Sequence, residues 1–209
     1  MNRVKYIAIV ALVMVFAAAG CKNPAAGKPA AEISDNGISS PVVSARGESI
    51  TFSEKNGQLR FVGSKVTGSE RCVFDSFSGK IDLVDRNPLK SQVSIDIETK
   101  SVSCESKGLA EHLRTPDFFD VEKYPKATFV SDGVEKDGDK YKLSGGFDFH
   151  GVKKSISFPT SIQVSERSIT VKSEFSLNRR DFGVNYAGRA NDLIRDEVLL
   201  KFDLKLNKD

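Results

Sequence analysis

From residue 93 onward, apolar side chains recur at every second position through most of the chain. Val93, Ile95 and Ile97 alternate with polar residues, as do Tyr141, Leu143, Phe147 and Phe149, where Gly145 fills the gap in the series. The same period returns in Ile156, Phe158, Ile162 and Val164, in Ile169, Val171, Phe175 and Leu177, and in Val198, Leu200, Phe202, Leu204 and Leu206. A period of two marks a strand with one wet face, because successive side chains leave the backbone on opposite sides. Shorter copies at Ile50 and Phe52, Leu59 and Phe61, and Ile81 and Leu83 bring the expectation to about eight strands. The turn signals "EKNG", "DRNP", "KDGD" and "SERS" separate them. One short helix is predicted over residues 106–114, "SKGLAEHLR", where Leu109 and Leu113 lie four apart on one face. An almost all-β chain of regular short strands is a sandwich or a barrel.

The N-terminus breaks this pattern. Arg3 and Lys5 precede "YIAIVALVMVFAAAG", an apolar run long for a signal core and short for a membrane span, followed at once by Cys21. Residues 1–20 therefore read as an export signal, cleaved or retained as an anchor. From Cys21 to about residue 45 the chain is rich in Pro, Ala, Gly and Ser without periodicity, which predicts a flexible tether. Residues 46–209 form the remaining domain, long enough for a substantial core. Loss of residues 1–20 removes two basic and no acidic residues, so the net charge falls from +3 to +1 (29 basic, 28 acidic). That balance argues against nucleic acid as a partner, since phosphate-reading domains carry a large basic excess.

Two further cysteines, Cys72 and Cys104, make an even pair, which in an exported protein favours a disulfide, although two free thiols fit the sequence as well. His112 and His150 are the only histidines, with no CxxC or HxxxH spacing, so no metal site is expected. No Gly-x-Ser-x-Gly elbow, phosphate loop or dinucleotide fingerprint occurs, so no catalytic residues and no cofactor are expected.

Composition adds a choice. The chain has 14 Phe and no Trp, and many of the Phe fall on the alternating faces. They either fill an ordinary core or line the cavity of a closed sheet, which at about eight strands is just wide enough to hold one ligand. An apolar cavity of that kind accepts a long hydrocarbon.

Four ordered segments carry a resemblance. "HLRTPDFFDVEKYPKATFVS", "VGSKVTGSERCVFDSFSGKIDL", "LSGGFDFHGVKKSISFP" and "FSLNRRDFGVNYAGRANDLIRDEVLLKFDLKL" resemble the signature segments of the YceI family of bacterial exported proteins. The departures are Lys153, where Thr is usual, and Cys72, where a small residue is common. The resemblance implies an extended, lipocalin-like antiparallel β-barrel. It implies binding, sequestration or transport of an isoprenoid lipid, an isoprenoid quinone or polyprenyl phosphate, as ligand and without catalysis. At about 0.8 kcal/mol per buried CH₂, roughly three or four isoprene units offer ~10 kcal/mol before entropic losses. "AAGC" in turn resembles the lipobox of bacterial lipoproteins, with Ala18 in place of the usual Leu. That implies lipidation of Cys21 and a membrane anchor on the periplasmic face, by default of the outer membrane because Lys22 is no inner-membrane retention signal. A homodimer is expected by analogy with related barrels.

On this basis Phe118, Phe119, Phe129, Phe147, Phe149, Phe158, Phe175, Phe182 and Tyr186 are the expected ligand-cavity residues. His112, Arg179 and Arg180 are the head-group candidates. For His112 the competing role, a tie between the short helix and the next loop, carries more weight. For "LNRRDFG" the competing role is a turn held by Asn178 and Asp181 with Phe182 as a plug. The rival function is a tethered β-domain with a packed core that binds protein at a strand edge.

Overall fold

In the computed structural model, which describes residues 22–35 and 47–207, sheet pairing runs in a ring. The elements in chain order are β1 (Glu32–Ser34), β2 (Glu48–Ser53), β3 (Gly57–Lys65), β4 (Gly68–Phe74), β5 (Phe77–Leu83), β6 (Gln92–Glu98) and β7 (Val102–Cys104). They continue with α1 (Lys107–Leu113), β8 (Lys126–Asp137), β9 (Lys140–Phe149), β10 (Val152–Val164), β11 (Ser168–Asn178), β12 (Gly188–Arg189), β13 (Asp192–Leu193) and β14 (Glu197–Asn207). β2 runs on into β3, β4 into β5 and β6 into β7, each as one long bent strand. Counted so, eight antiparallel strands follow one another from β2/β3 to β14, and β14 pairs back onto β3 from Leu199–Val62 to Leu204–Gly57. The result is an extended antiparallel β-barrel with one short α-helix.

Local chemistry sets each piece. Ser106 caps α1 by accepting a hydrogen bond from the Leu109 amide, and the helix buries Ala110 and Leu113. Gly145, the gap in the alternating series, sits where β8 crowds closest. A Cβ there would lie 2.3 Å from the Val130 carbonyl oxygen and 2.8 Å from the Phe129 ring. Only glycine lets β9 pass behind that ring.

The segment expected to be a tether is partly structured. Residues 1–21, with the export signal and Cys21, lie outside the described residues, as do 36–46. Residues 22–35, by contrast, pack on the barrel wall. β10 and β11 pair only over five residues, Thr160–Val164 with Ile169–Ser173, and then part. Into the gap goes the N-terminal segment: Glu32, Ile33 and Ser34 pair antiparallel with Ser157, Ile156 and Ser155. On its other side Ala31 N–H donates to Ser176 O and Ser176 N–H to Pro29 O, both at 2.8 Å. The composition looked unstructured because it has no period, but Ala31 and Ile33 pack on the core beside β10. Orphan backbone groups on two parting strands supply the partners.

Ion pairs staple the segment: Lys28 to Glu174 at 3.2 Å, Asp35 to Lys154 at 2.9 Å, and Glu32 to Lys142. The hydrogen bond from Lys142, then its charge and the Ser157 hydroxyl, hold the Glu32 carboxyl below its ordinary range, while the Glu32 hydrogen bond raises Lys142. A depressed carboxylate contributes above its ordinary value and loses the contribution as pH falls through the lowered one. A raised lysine loses its contribution only as pH climbs through the raised value. Docking is therefore strongest between the two. Hydrogen-exchange protection at the Ala31 amide should fall on acidification to about pH 3, while that at Val171 in the barrel wall holds.

Cys72 and Cys104 stand opposite each other in the β4–β7 ladder and are joined by a disulfide. The bond spans a sequence separation of 32 and ties the strand leading into α1 to the barrel wall. Replacing both cysteines with serine should cost about 3–4 kcal/mol, as the chain-entropy relation gives for a loop of that length, read from urea unfolding of the full chain.

Candidate functional site

The barrel is wide enough that its inward side chains do not fill it. They enclose a cavity of about 760 Å³ that runs much of the length of the interior. Phe118, Phe119, Phe129, Phe147, Phe149, Phe158, Phe175 and Tyr186 all line it. So do residues outside the expected set: Ile95, Ile156, Val171 and Leu200, together with Phe61, Phe74 and Phe202. The signal that finds them is the period of two itself. Several, including Ile95, Val171, Leu200 and Phe202, are only half buried although they face inward, because they look onto open volume. The rings that do meet form chains: Phe119 lies 5.4–6.0 Å from Phe61, Phe74 and Phe149, and Phe158 stacks on Phe175 at 4.2 Å.

Phe182 is a correction. It is wholly buried but lies outside the cavity lining, 5.2 Å from the Phe147 ring and 6.1 Å from Phe149. The cause is local. Asn178 caps a 3-10 turn, Arg179–Phe182, by accepting from the Arg180 amide at 2.9 Å, and Gly183 ends it with φ 74°. That turn swings Phe182 behind the inward rings, where it seals the packing.

The two arginines are also corrected. Arg180 lies outside the cavity lining; its Nε donates to Asp196 Oδ1 at 2.6 Å on the surface. Arg179 does line the cavity, yet its guanidinium is committed. Nη1 donates to Val184 O at 2.6 Å, Nε to Arg195 O at 3.1 Å, and Nη2 to Asp196 Oδ1 at 3.1 Å. Burial pulls its pKa down, and the Asp196 carboxylate pulls it back up. A 5 % exposed cation with its donors so occupied holds the 184–196 loop and has little left for a phosphate.

At the α1 end the cavity reaches a rim formed by the β3–β4 turn, α1 and the 184–196 loop, through Lys65, Ser69, His112, Tyr186 and Arg189. His112 meets Asp117 at 2.8 Å through Nε2 and lies edge-on to Phe118 and Tyr186 at 5.0 and 5.1 Å. It ties α1 to the loop that carries Phe118, and it also faces the cavity. "VEKYP" begins in a turn, since the Lys123 and Tyr124 amides both donate to Asp120 O. Pro125 precedes β8 directly. At the opposite end the lining continues through Pro88, Gln92, Val134 and Val164.

The cavity opens to solvent at its rim, so it is accessible from outside the barrel. Its walls give water few partners, whereas a hydrocarbon meets them at contact distance.

A family model described as a YceI-like domain matches residues 42–206. Protein YceI of Escherichia coli O157:H7 is 32% identical over 113 residues, covering 52% of this chain and 59% of that protein. YceI of Salmonella newport is 30% identical over the same length and coverage. The chain thus spans a little over half the length of these curated relatives. Among solved structures, BcnA of Burkholderia cenocepacia superposes with a TM-score of 0.65 at 21% identity, covering 72% of this chain and 96% of that one. A polyisoprenoid-binding domain from Saccharophagus degradans implicated in plant cell wall breakdown gives 0.60 at 20% identity, covering 77% and 98%. At these identities the likeness shows a shared fold.

Arg179→Ala should destabilise the fold by about 3 kcal/mol, because it removes a buried side chain and strips Val184 O and Arg195 O of their guanidinium donors. Arg179→Lys should recover little of that, and Arg180→Ala should stay within about 0.5 kcal/mol. Thermal unfolding of the three variants reads the contrast.

Proposed function

The chain belongs to the YceI-like family, and from that premise we propose that it binds an isoprenoid lipid along the barrel interior, as a carrier or sequestering protein rather than an enzyme. The observation that carries this reading is the cavity: long, apolar over most of its wall and open toward a mixed polar rim. That the Saccharophagus degradans neighbour is a polyisoprenoid-binding domain supports it. The hydrocarbon tail would lie between Phe158 and Phe175 on one side and Ile95 and Leu200 on the other. The head group would rest at the rim among His112, Tyr186 and Arg189. Because Arg179 is consumed in holding its loop, a neutral head such as a quinone fits the buried part of the rim better than a pyrophosphate does. We further propose that the protein acts after export as a lipoprotein anchored through Cys21, which rests on the sequence of residues 1–21. A protein-binding domain with a packed core would leave no such volume, which weighs against that reading.

The test is native mass spectrometry with solvent extraction of the chain secreted into a bacterial periplasm and purified without detergent. A stoichiometric isoprenoid of defined chain length is expected, and the same spectrum reports whether the barrel pairs with a second copy. Empty protein that also takes up no added quinone or polyprenyl phosphate would sink the proposal. Leu200→Trp, which pushes a larger ring into the open volume, should lower occupancy by long-chain isoprenoids about tenfold or more while leaving thermal stability within about 1.5 kcal/mol.

A further inference from the structure

The gap between β10 and β11 is a site of its own. The two strands are tied at Thr160 and Ser173, whose hydroxyls meet at 2.9 Å, and by the Phe158–Phe175 stack just beyond. Past those rings the ladder is replaced by a foreign strand. Neighbouring strands lie ~4.8 Å apart, so two strands flanking a third stand ~9.6 Å apart, room for a single extended chain. The occupant is residues 29–34. Its inward residues Ala31 and Ile33 pack against the cluster that holds Ile156, Phe158, Phe175 and Leu177, and all four of those also line the cavity. The segment contributes no residue to the lining itself and instead backs, from outside, the stretch of wall that these four residues form.

Its grip is slight for a wall element. It shares three register pairs with β10, two backbone hydrogen bonds with β11, and ion pairs that are solvent-exposed and screened by salt. The rest of the barrel is held by ladders as long as eleven pairs. Opening free energies within one protein range from near zero to the global value, and the short, exposed pairings open first.

We propose that the slot between β10 and β11 is a strand-binding site whose resident peptide, residues 29–34, is a displaceable wall, and that its departure admits the hydrocarbon chain sideways into the cavity. A slot one strand wide passes one prenyl chain and excludes a second chain or a fused ring system. The inference rests on the proposed isoprenoid binding and adds to it the route of entry. It also gives Glu32 a role in entry: its pairing with Lys142 and Ser157 sets how often the wall opens.

Glu32 and Ser157 face each other in register, with the Ser157 hydroxyl 3.2 Å from the carboxylate, so Glu32→Cys with Ser157→Cys can cross-link the wall shut. The probe is fluorescently labelled geranylgeraniol in phosphatidylcholine vesicles, presented to the full chain, with the unsubstituted protein under the same oxidant and reductant as control. The oxidised double variant should take up the probe at least tenfold more slowly than its reduced form, with equal occupancy once equilibrium is reached. Glu32→Lys, which sets a second cation beside Lys142, should take it up several-fold faster than the parent and lose the parent's acceleration by salt. Equal uptake rates for oxidised and reduced forms, with normal final occupancy, would overturn the lateral route and leave isoprenoid binding standing. No uptake by any form, even after refolding with the probe present, would overturn the binding itself and the route with it.

Discussion

An antiparallel ladder that closes on itself obliges every second residue to face one interior, and the rest of this structure follows from that obligation. Eight strands set the ring's width, and the ring is too wide for its inward side chains to fill. The half-buried Ile95, Val171, Leu200 and Phe202 record this directly: they are inward by alternation yet lack neighbours on one side. The open volume is what supports the proposed guest, a chain that is long, apolar and flexible.

A wide barrel also needs its ends defined, and polar side chains do that work where rings cannot. Arg179 gathers carbonyls from a loop whose own ladder is only the two pairs of β12 and β13, and Asp196 bridges it to Arg180. A charge buried in this way costs a great deal unless almost every donor is used. The cost is what makes the loop's geometry specific: any rearrangement strands the guanidinium. At the same rim His112, held by Asp117, fixes the angle between α1 and the loop bearing Phe118 and Phe119. Backbone hydrogen bonds from the Phe118 amide to Thr115 O and from the Phe119 amide to Leu113 O bring the aromatic pair to the barrel together with that tie. The opposition of aromatic and charged residues between His112 and Phe129 thus resolves by depth, with rings toward the cavity and charges toward the loops that hold them.

The wall is uneven in strength. Long ladders join β11 to β14 and β8 to β9, while the β10–β11 pairing stops after five residues and hands its unpaired groups to residues 29–34. A peptide without periodicity can serve there because the slot supplies the pattern: two edges with free donors and acceptors, and an apolar floor at Ile156 and Phe158. Sequence without period is therefore no sign of sequence without structure when the partner strands already exist.

Alternation in the chain was enough to determine an all-β fold of about eight strands, because the pleat has a period that sequence shares. The bounds of α1 were legible for the same kind of reason, since Ser106 as a cap and Leu109 and Leu113 on one face act within a single turn. Most cavity-facing rings could be named as well, for inwardness is a property of parity along a strand. What tertiary structure decided were matters of register and reach. Phe182 has a neighbour set fixed by the Asn178-capped turn and so leaves the lining, and the two arginines meet Asp196, sixteen and seventeen residues away, before they can meet a ligand. The pairing of Cys72 with Cys104 depends on β4 lying beside β7, and the docking of residues 29–34 depends on two strands parting more than a hundred residues later. Contacts within a turn or a pleat are written in neighbouring residues, whereas contacts across a ring exist only once the ring has closed.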